Sequence, residues 1–400
     1  MISSKEALQI VTGRKTNPGK ESIDLADACG RYLAQPVYAD RPLPPYDRAT
    51  MDGIAIRHGD FRDGIREFSV LGMARAGESG QRLEGRNGCI EIATGAVVPE
   101  GADTVIRYED LEKSEKGFRI LSEPKPGQSI HPAGSDAPEG ELLLREGCRI
   151  GPAEIAVLAS VGIHRPQVFR LPVIILVSTG DELVEVDQRP EPHQIRKSNT
   201  WSLRAALEEF KIQPRLLHLA DNADSIRNSL EKALSEADVL MLSGGVSKGK
   251  FDLIPEALEQ LGVRKLFHRV AQRPGKPFWF GASEKKDCVV FSFPGNPVST
   301  FLNYHLYFRD WLLSGMGVVP GSHQARLAAA TVNTSELTQF RLVKLKTEAG
   351  TLWAEEIPMN SSGDFLSLAR AEGFIRLEPA AEPYEEGTLV PLLPFKTELT

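Results

Sequence analysis

The sequence predicts a multidomain protein of α/β and β classes: a central α/β domain with a mostly parallel sheet, a β-rich insert, an elongated helical N-terminal domain and a small C-terminal β-barrel. Three observations predict it. Leu171–Val177 and Val239–Leu242 are uninterrupted apolar runs that end in glycine turns, the pattern of strands buried on both faces. Between them and after them, helical and strand-like segments alternate, which implies β/α units. Residues 46–135 and those beyond 321 instead show short apolar or alternating runs broken by glycine and charge, as small β domains do.

Taken in chain order, Ser3–Thr12 reads as a capped helix and Ile23–Tyr32 as a second, followed by the stiff connector Arg41-Pro42-Leu43-Pro44-Pro45-Tyr46 and a boundary near residue 45. Gly53–Ile56, Phe68–Leu71, Cys89–Ile92, Thr104–Arg107 and Phe118–Leu121 are the strands of the insert. Gly151-Pro152 opens a helix through Val161, with proline in its first turn. The α/β domain starts at Leu171. Ser198-Asn199 signals a cap before the amphipathic run Thr200–Phe210; then come strand Arg215–Leu219, helix Ser225–Ser235, strand Val239–Leu242, helix Leu253–Leu261 and strand Arg264–Val270. A hairpin-like pair, Phe278–Phe280 and Cys288–Phe293, precedes a helix with apolar face Phe301, Tyr304, Phe308, Trp311 and Leu312. After the glycine breaks of 315–321, Arg326–Val332, Arg341–Leu345 and Thr351–Ile357 are the barrel strands.

The chemistry gathers in the loops after these strands, where open α/β sheets bind ligands. In Ser243-Gly244-Gly245-Val246-Ser247-Lys248 the glycines let the backbone approach a ligand, and successive N–H groups form a nest for an oxyanion; the alternative is an ordinary turn with Asp252 as helix cap. Ser178-Thr179-Gly180-Asp181-Glu182 leads hydroxyls into paired carboxylates, which suits Mg²⁺ shared with phosphate oxygens or, more plainly, a turn and cap. Asp221 follows another strand end. Arg273-Pro274-Gly275-Lys276 is a stiff, positively charged turn fit to clamp an oxyanion, and Pro294-Gly295-Asn296-Pro297 opens a helix towards the same rim. Asp52 and Asp136, alone, are turn aspartates.

Composition excludes several classes. The chain has 400 residues, 41% of them hydrophobic, and a net charge of −7 with no basic tract, which argues against nucleic-acid binding. Met1–Ile10 lacks the apolar core of a signal peptide and no run approaches a membrane span, so a cytoplasmic protein without membrane partners is expected. Cys29, Cys89, Cys148 and Cys288 are widely spaced, as reduced, mostly buried thiols are, and neither a zinc motif nor a G-x-S-x-G elbow occurs.

The collinear set ATMDGIAIR (Ala49–Arg57), ATGAVVPEGADTV (Ala93–Val105), HPAGSD (His131–Asp136), LVSTGDEL (Leu176–Leu183), LSGGVSKGKFD (Leu242–Asp252), RPGKP (Arg273–Pro277) and FPGNPVS (Phe293–Ser299) resembles the molybdopterin molybdenumtransferase family, MoeA and the gephyrin E domain. The resemblance covers residues 1 to about 320, with a weaker tail. It implies a MogA-like central domain at 171–320, an elongated domain from 1–45 with 136–170, the insert at 46–135 and the barrel at 321–400. It implies Mg²⁺-dependent insertion of molybdate, with tungstate the alternative anion, into adenylylated molybdopterin with release of AMP, in a homodimer supplied by an upstream adenylyltransferase. By the same resemblance Asp52, Asp136, Glu182, Asp221 and Asp252 are catalytic, the first two acting across the dimer. Asp181, Glu182 and Asp221 would hold the metal. Ser178, Thr179, Gly180, Ser243, Gly244, Gly245, Ser247, Arg273, Lys276, Pro294, Asn296 and Pro297 would bind substrate. Many relatives carry an acidic or hydrophobic residue where this chain has Lys248 and Lys250, and Gln272 precedes the clamp at a position where others vary. Two rival functions remain: an adenylyltransferase or nucleotide pyrophosphatase on the same α/β domain, and a gephyrin-like peptide-binding scaffold.

Overall fold

Helix α1 (Ser4–Gly13) starts at a reciprocal cap: Ser3 Oγ accepts from the Glu6 N–H at 3.1 Å while the Ser3 N–H donates to Glu6 Oε2 at 2.8 Å. The computed structural model describes residues 1–14, 18–220, 222–245 and 253–396. Ile23–Tyr32, expected as a helix, holds only a 3-10 turn at Leu25–Asp27. Its backbone is drawn elsewhere: the Ile23 N–H donates to Pro166 O at 3.3 Å and the Gly30 N–H to Ile150 O at 2.8 Å, so pairing with distant residues replaces the local ladder.

Two units emerge, residues 35–146 with 152–164, and residues 1–34 with 147–151 and 165–400. In the first, β1 (Arg48–Ala49), β2 (Gly53–Ile56), β3 (Glu67–Ala74), β4 (Gly88–Ile92), β5 (Thr104–Arg107), β6 (Leu111–Lys113), β7 (Gly117–Ile120) and β8 (Ile130–His131) lead to helix α2 (Pro152–Ser160). Six of them form a sheet in the order β5-β2-β4-β3-β7-β6, and β1 pairs with β8 beside it. Ala55, Ile90, Ile92 and Val105 pack on one side, and Ile54, Ile56, Cys89 and Ile106 on the other. Burial on both faces is why β2, β4 and β5 read as nearly continuous apolar runs rather than alternating ones, whereas Val70 and Leu71 of β3 are exposed.

The second unit contains β9 (Ile174–Thr179), α3 (Ser198–Glu208), β10 (Arg215–Leu219), α4 (Ala223–Glu236), β11 (Val239–Ser243), α5 (Ile254–Gln260), β12 (Arg264–His268), β13 (Trp279–Ser283), β14 (Cys288–Phe293) and α6 (Pro297–Asn303). Its sheet runs β10-β9-β11-β14-β13-β12; the first four strands are mutually parallel, β13 is reversed, and the edge strand β12, antiparallel to β13, runs in the direction of the first four. Arg264–Val270 was expected as another parallel unit. It keeps the direction of the parallel strands but lies at the sheet edge and pairs antiparallel with β13, because β14 follows β13 by a tight hairpin that reverses β13, and β12 then takes β13's free side. Leu176, Met241 and Phe291 pack on one face of the sheet, and Val177, Leu242 and Val290 on the other.

Past α6 the helix widens into a π turn at Tyr304–Phe308 before α7 (Arg309–Gly315). Tyr304, Phe308, Trp311 and Leu312 join the sheet core, whereas Phe301 packs with Phe340 and Phe374 of the C-terminal part. There β15 (His323–Leu327), β16 (Thr338–Glu348), β17 (Thr351–Glu356), α8 (Phe365–Arg370), β18 (Gly373–Leu377) and β19 (Leu389–Pro394) close a barrel, β18 pairing with both β19 and β16. The first barrel strand lies at His323–Leu327, not Arg326–Val332: Ala325 and Leu327 turn into the barrel core, and after Leu327 the chain leaves the sheet.

Candidate functional site

The strand register builds the centre of the site. Ser178 at the end of β9 lies level with His218 on β10 and Ser243 on β11, so three polar side chains share one face at the carboxyl edge of the parallel strands. Ser178 Oγ is 3.0 Å from His218 Nδ1. Asn199 Nδ2 donates to Ser243 Oγ at 2.9 Å and to Gly295 O at 2.7 Å, tying α3 to two loops. Beside this row the described residues line a cavity of about 330 Å³ that includes Ser178, Thr179, Gly180, Glu182, Ser243, Gly244, Gly245, Gly295 and Pro297. Gly180 sits at φ +124°, and a Cβ there would run into the Glu182 carboxylate, which folds back over it. Gly244 and Gly245 are also left-handed, at +99° and +71°, as the close backbone turn demands.

Residues without a site role in the sequence reading complete this wall. Arg196, buried Lys197, Ser198, Asn199 and Thr200 all face the cavity. Ser198-Asn199 is not the cap of α3; Lys197 is, and no side chain bonds the first-turn amides. An uncapped helix start carries partial positive charge, so it favours an anion. Lys197 Nζ is paired with Glu185, and Arg196 Nε donates to Gln188 O at 3.0 Å. The signal was present in the sequence: a basic pair directly before a helix that follows a carboxylate loop.

The clamp turn lies apart from that cavity. Arg273 and Lys276, both exposed, border a second one of about 370 Å³ together with Pro294, Asn296 and Ser299 and with Met359–Ser362 from the barrel part. Pro294-Gly295-Asn296-Pro297 is thus shared, Gly295 and Pro297 lining the first cavity, Pro294 and Asn296 the second. The fully buried Gln272 anchors the turn: its Nε2 donates to Asn303 Oδ1 at 2.9 Å and to Pro274 O at 3.1 Å, and the Tyr307 hydroxyl donates to its Oε1. Gln272 and Arg273 also pair with Thr338 and Gln339 of β16. Gln272 is therefore the centre of a satisfied buried amide network, which makes the turn rigid.

The smaller unit holds Asp52 and Asp136 on one framework. The Thr94 N–H and hydroxyl donate to Asp52 Oδ1 at 2.6 and 2.8 Å, the backbone bond first among the causes that hold this carboxyl below its ordinary range. Asp136 Oδ1 lies 2.8 Å from His131 Nε2. β1, three residues before Asp52, pairs with β8, which carries His131. A depressed carboxyl adds stability above its unfolded pKa that disappears as pH falls through the folded value. Thr94→Val, which keeps the N–H and removes the hydroxyl, is expected to raise the Asp52 pKa in a carboxyl-carbon NMR titration and so bring acid destabilisation to higher pH. An unmoved Asp52 titration would contradict this origin.

Residues 2–162 match the family model for the MoeA N-terminal region (domain I and II), 175–313 that for a probable molybdopterin binding domain, and 324–395 that for the MoeA C-terminal region (domain IV). The chain is 36% identical over 395 residues to a protein of Synechocystis named molybdopterin molybdenumtransferase, covering 98% of this chain and 99% of that one. This chain belongs to the molybdopterin molybdenumtransferase family. A Bacillus subtilis protein of the same name is 32% identical, covering 99% and 95% of the two chains. The solved structure of a molybdopterin biosynthesis moea protein from Pyrococcus horikosii superposes with TM-score 0.84 at 32% identity over 100% of both chains.

For this family of transferases the remaining question is the donor set. Asp221, Ser247, Lys248, Lys250 and Asp252 lie outside the described residues. Asp181 is exposed and is not among the cavity's lining residues, whereas Glu182 is. Among the described residues no group of three or more His, Cys, Asp or Glu side chains is placed to hold a metal. One or two carboxylates with substrate oxygens and water are nevertheless the usual surroundings of Mg²⁺, and Glu182 with the hydroxyls of Ser178 and Ser243 is a hard oxygen set that fits it. Only Cys89 and Cys288 are buried; Cys29 is exposed and Cys148 half-buried, so the expectation of mostly buried thiols holds for two of four. Burial pushes both the Cys89 and the Cys288 thiol up to about 12, which keeps them protonated at neutral pH. No helix among the described residues is long and apolar enough to cross a membrane.

Proposed function

We propose that this chain is a molybdopterin molybdenumtransferase of molybdenum cofactor synthesis, which inserts molybdate into adenylylated molybdopterin with release of AMP in a Mg²⁺-dependent reaction. The observation that carries the reading is the cavity at the carboxyl edge of the parallel strands. It joins glycine-loop amides, an uncapped helix start and cationic side chains to the Glu182 carboxylate. Two like unit charges 4 Å apart repel by about 4 kcal/mol at an effective dielectric of 20, so a site that brings molybdate to a nucleotide phosphate must first neutralise charge. Arg196, the start of α3 and the loop amides do this for the anions; Ser178, Ser243 and Asn199 orient them. When bound, Mg²⁺ would supply further charge neutralisation at the phosphate, held by Glu182, the described carboxylate that lines the cavity, with Asp181 next to it in the chain. The sulfur ligands of molybdenum belong to the pterin, so no protein thiolate is required.

Asp52 and Asp136 of one subunit complete the site of a second subunit in a homodimer, as the family resemblance implies. Arg273 and Lys276 hold a further oxyanion portion of the substrate. The purified chain, incubated with adenylylated molybdopterin, Mg²⁺ and either molybdate or tungstate, is expected to release AMP and to yield the metal-loaded pterin by mass spectrometry. Consumption of ATP without added adenylylated pterin would favour an adenylyltransferase instead. A mixed dimer of Asp52→Ala and Asp252→Ala chains should recover activity above either homodimer. No recovery would place these carboxylates in one subunit's site.

A further inference from the structure

We propose that His131 is a positioning residue that presents the Asp136 carboxylate for the reaction, with Arg48 fixing the imidazole tautomer. This rests on the reading of Asp136 as a member of the site. His131 and Arg48 face each other across the β1–β8 ribbon, in direct register. Arg48 Nη2 lies 3.1 Å from His131 Nδ1. A guanidinium can only donate, so Nδ1 must be the acceptor, and the imidazole proton resides on Nε2. That proton points at Asp136 Oδ1, 2.8 Å away. The polarity of the chain is thereby set in one direction: guanidinium to imidazole to carboxylate.

The backbone beneath Asp136 is held as firmly. Its N–H donates to Leu43 O at 2.9 Å, the Ala137 N–H donates to the same oxygen at 3.0 Å, and the Gly134 N–H donates to Pro44 O at 2.9 Å. The Asp136 side chain itself is 56% exposed. An exposed aspartate on a fixed backbone still samples several rotamers. The Nε2–H bond selects one, occupies Oδ1 and leaves Oδ2 outside the relay. A carboxylate that must meet substrate in one geometry gains from such preorganisation, and the gain is read in kcat. A turn that His131 merely braces would show a change in melting temperature and none in turnover.

The test uses the full-length protein and three variants, His131→Leu, His131→Gln and Asp136→Ala, in the AMP-release assay with adenylylated molybdopterin, molybdate and Mg²⁺. Glutamine retains an oxygen to accept from Arg48 and an amide N–H to donate to Asp136. His131→Leu is expected to lower kcat at least about tenfold with KM changed less than about twofold, and His131→Gln to restore kcat to within about threefold of the parent. Selectively ¹⁵N-labelled histidine, with the His131 signal assigned by its loss in His131→Gln, should show the Nε2–H tautomer in the parent protein. Parental kcat in a folded His131→Leu, alongside an inactive Asp136→Ala, overturns the positioning role and leaves the site reading standing. Parental kcat in Asp136→Ala overturns that reading first. An Nδ1–H tautomer in the parent protein refutes the relay even if every variant misfolds.

Discussion

Replacing Glu182 by alanine is expected to slow AMP release by roughly 10²–10³-fold, the magnitude typical when one preorganised electrostatic group is lost from a polar site. Among the described residues Glu182 is the carboxylate lining the cavity formed by the Ser178–Gly180 and Ser243–Gly245 loops. Its carboxylate folds back over Gly180, where only the lack of a Cβ leaves room for it. Glu182→Gln tests the charge separately from the shape, since it preserves length and planarity. If metal holding is the role, glutamine should behave like alanine, and raising Mg²⁺ should recover part of the loss. AMP release is followed chromatographically under single-turnover conditions, which separates the chemical step from product departure. A Glu182→Ala protein that released AMP at the parental rate would remove this residue from the reaction.

Phe291→Ala is expected to destabilise the α/β part by about 3–5 kcal/mol, the usual cost of emptying a buried aromatic site. Phe291 is wholly buried at the middle of β14. Its ring centroid lies 4.9 Å from that of Phe280, 5.4 Å from Phe308 and 5.5 Å from Trp311, so truncation leaves a gap that several rings would have to move together to close. β14 also pairs with β11 with Ser243 level with Phe293, so the glycine loop loses support from beneath. Urea unfolding monitored by tryptophan fluorescence and circular dichroism gives the comparison, with both probes needed because a chain of two units need not unfold in one step. A midpoint within experimental error of the parent would mean the surrounding rings repack without cost.

Different parts of the molecule were legible to different degrees. Strands buried on both faces announced themselves as apolar runs, and the loops after them were readable as ligand-binding because their glycines and hydroxyls follow at once in the chain. Ile23–Tyr32 misled because its apolar spacing is compatible with a helix, while its backbone partners lie more than a hundred residues away at Ile150 and Pro166. Arg264–Val270 runs in the expected direction but misled in its neighbour: helix–strand alternation says that a strand exists and which way it runs, and only the fold decides that the reversed β13 is inserted between it and the parallel strands. Lys197 and Asn199 were overlooked because a basic residue before a helix looks like any solvated turn until the fold brings it beside Ser243.

The seven ordered motifs by themselves determined the family and the identity of the carboxylate, hydroxyl and glycine loops, since those features are consecutive residues whose chemistry needs no partner to be read. The tertiary structure alone decided that Ser178, His218 and Ser243 stand in one row, that Arg273 and Lys276 border a different cavity, and that Arg48 Nη2 comes within 3.1 Å of His131 Nδ1. Such facts depend on strand register and closure, which arise from contacts between residues far apart in sequence, and local periodicity carries no record of them.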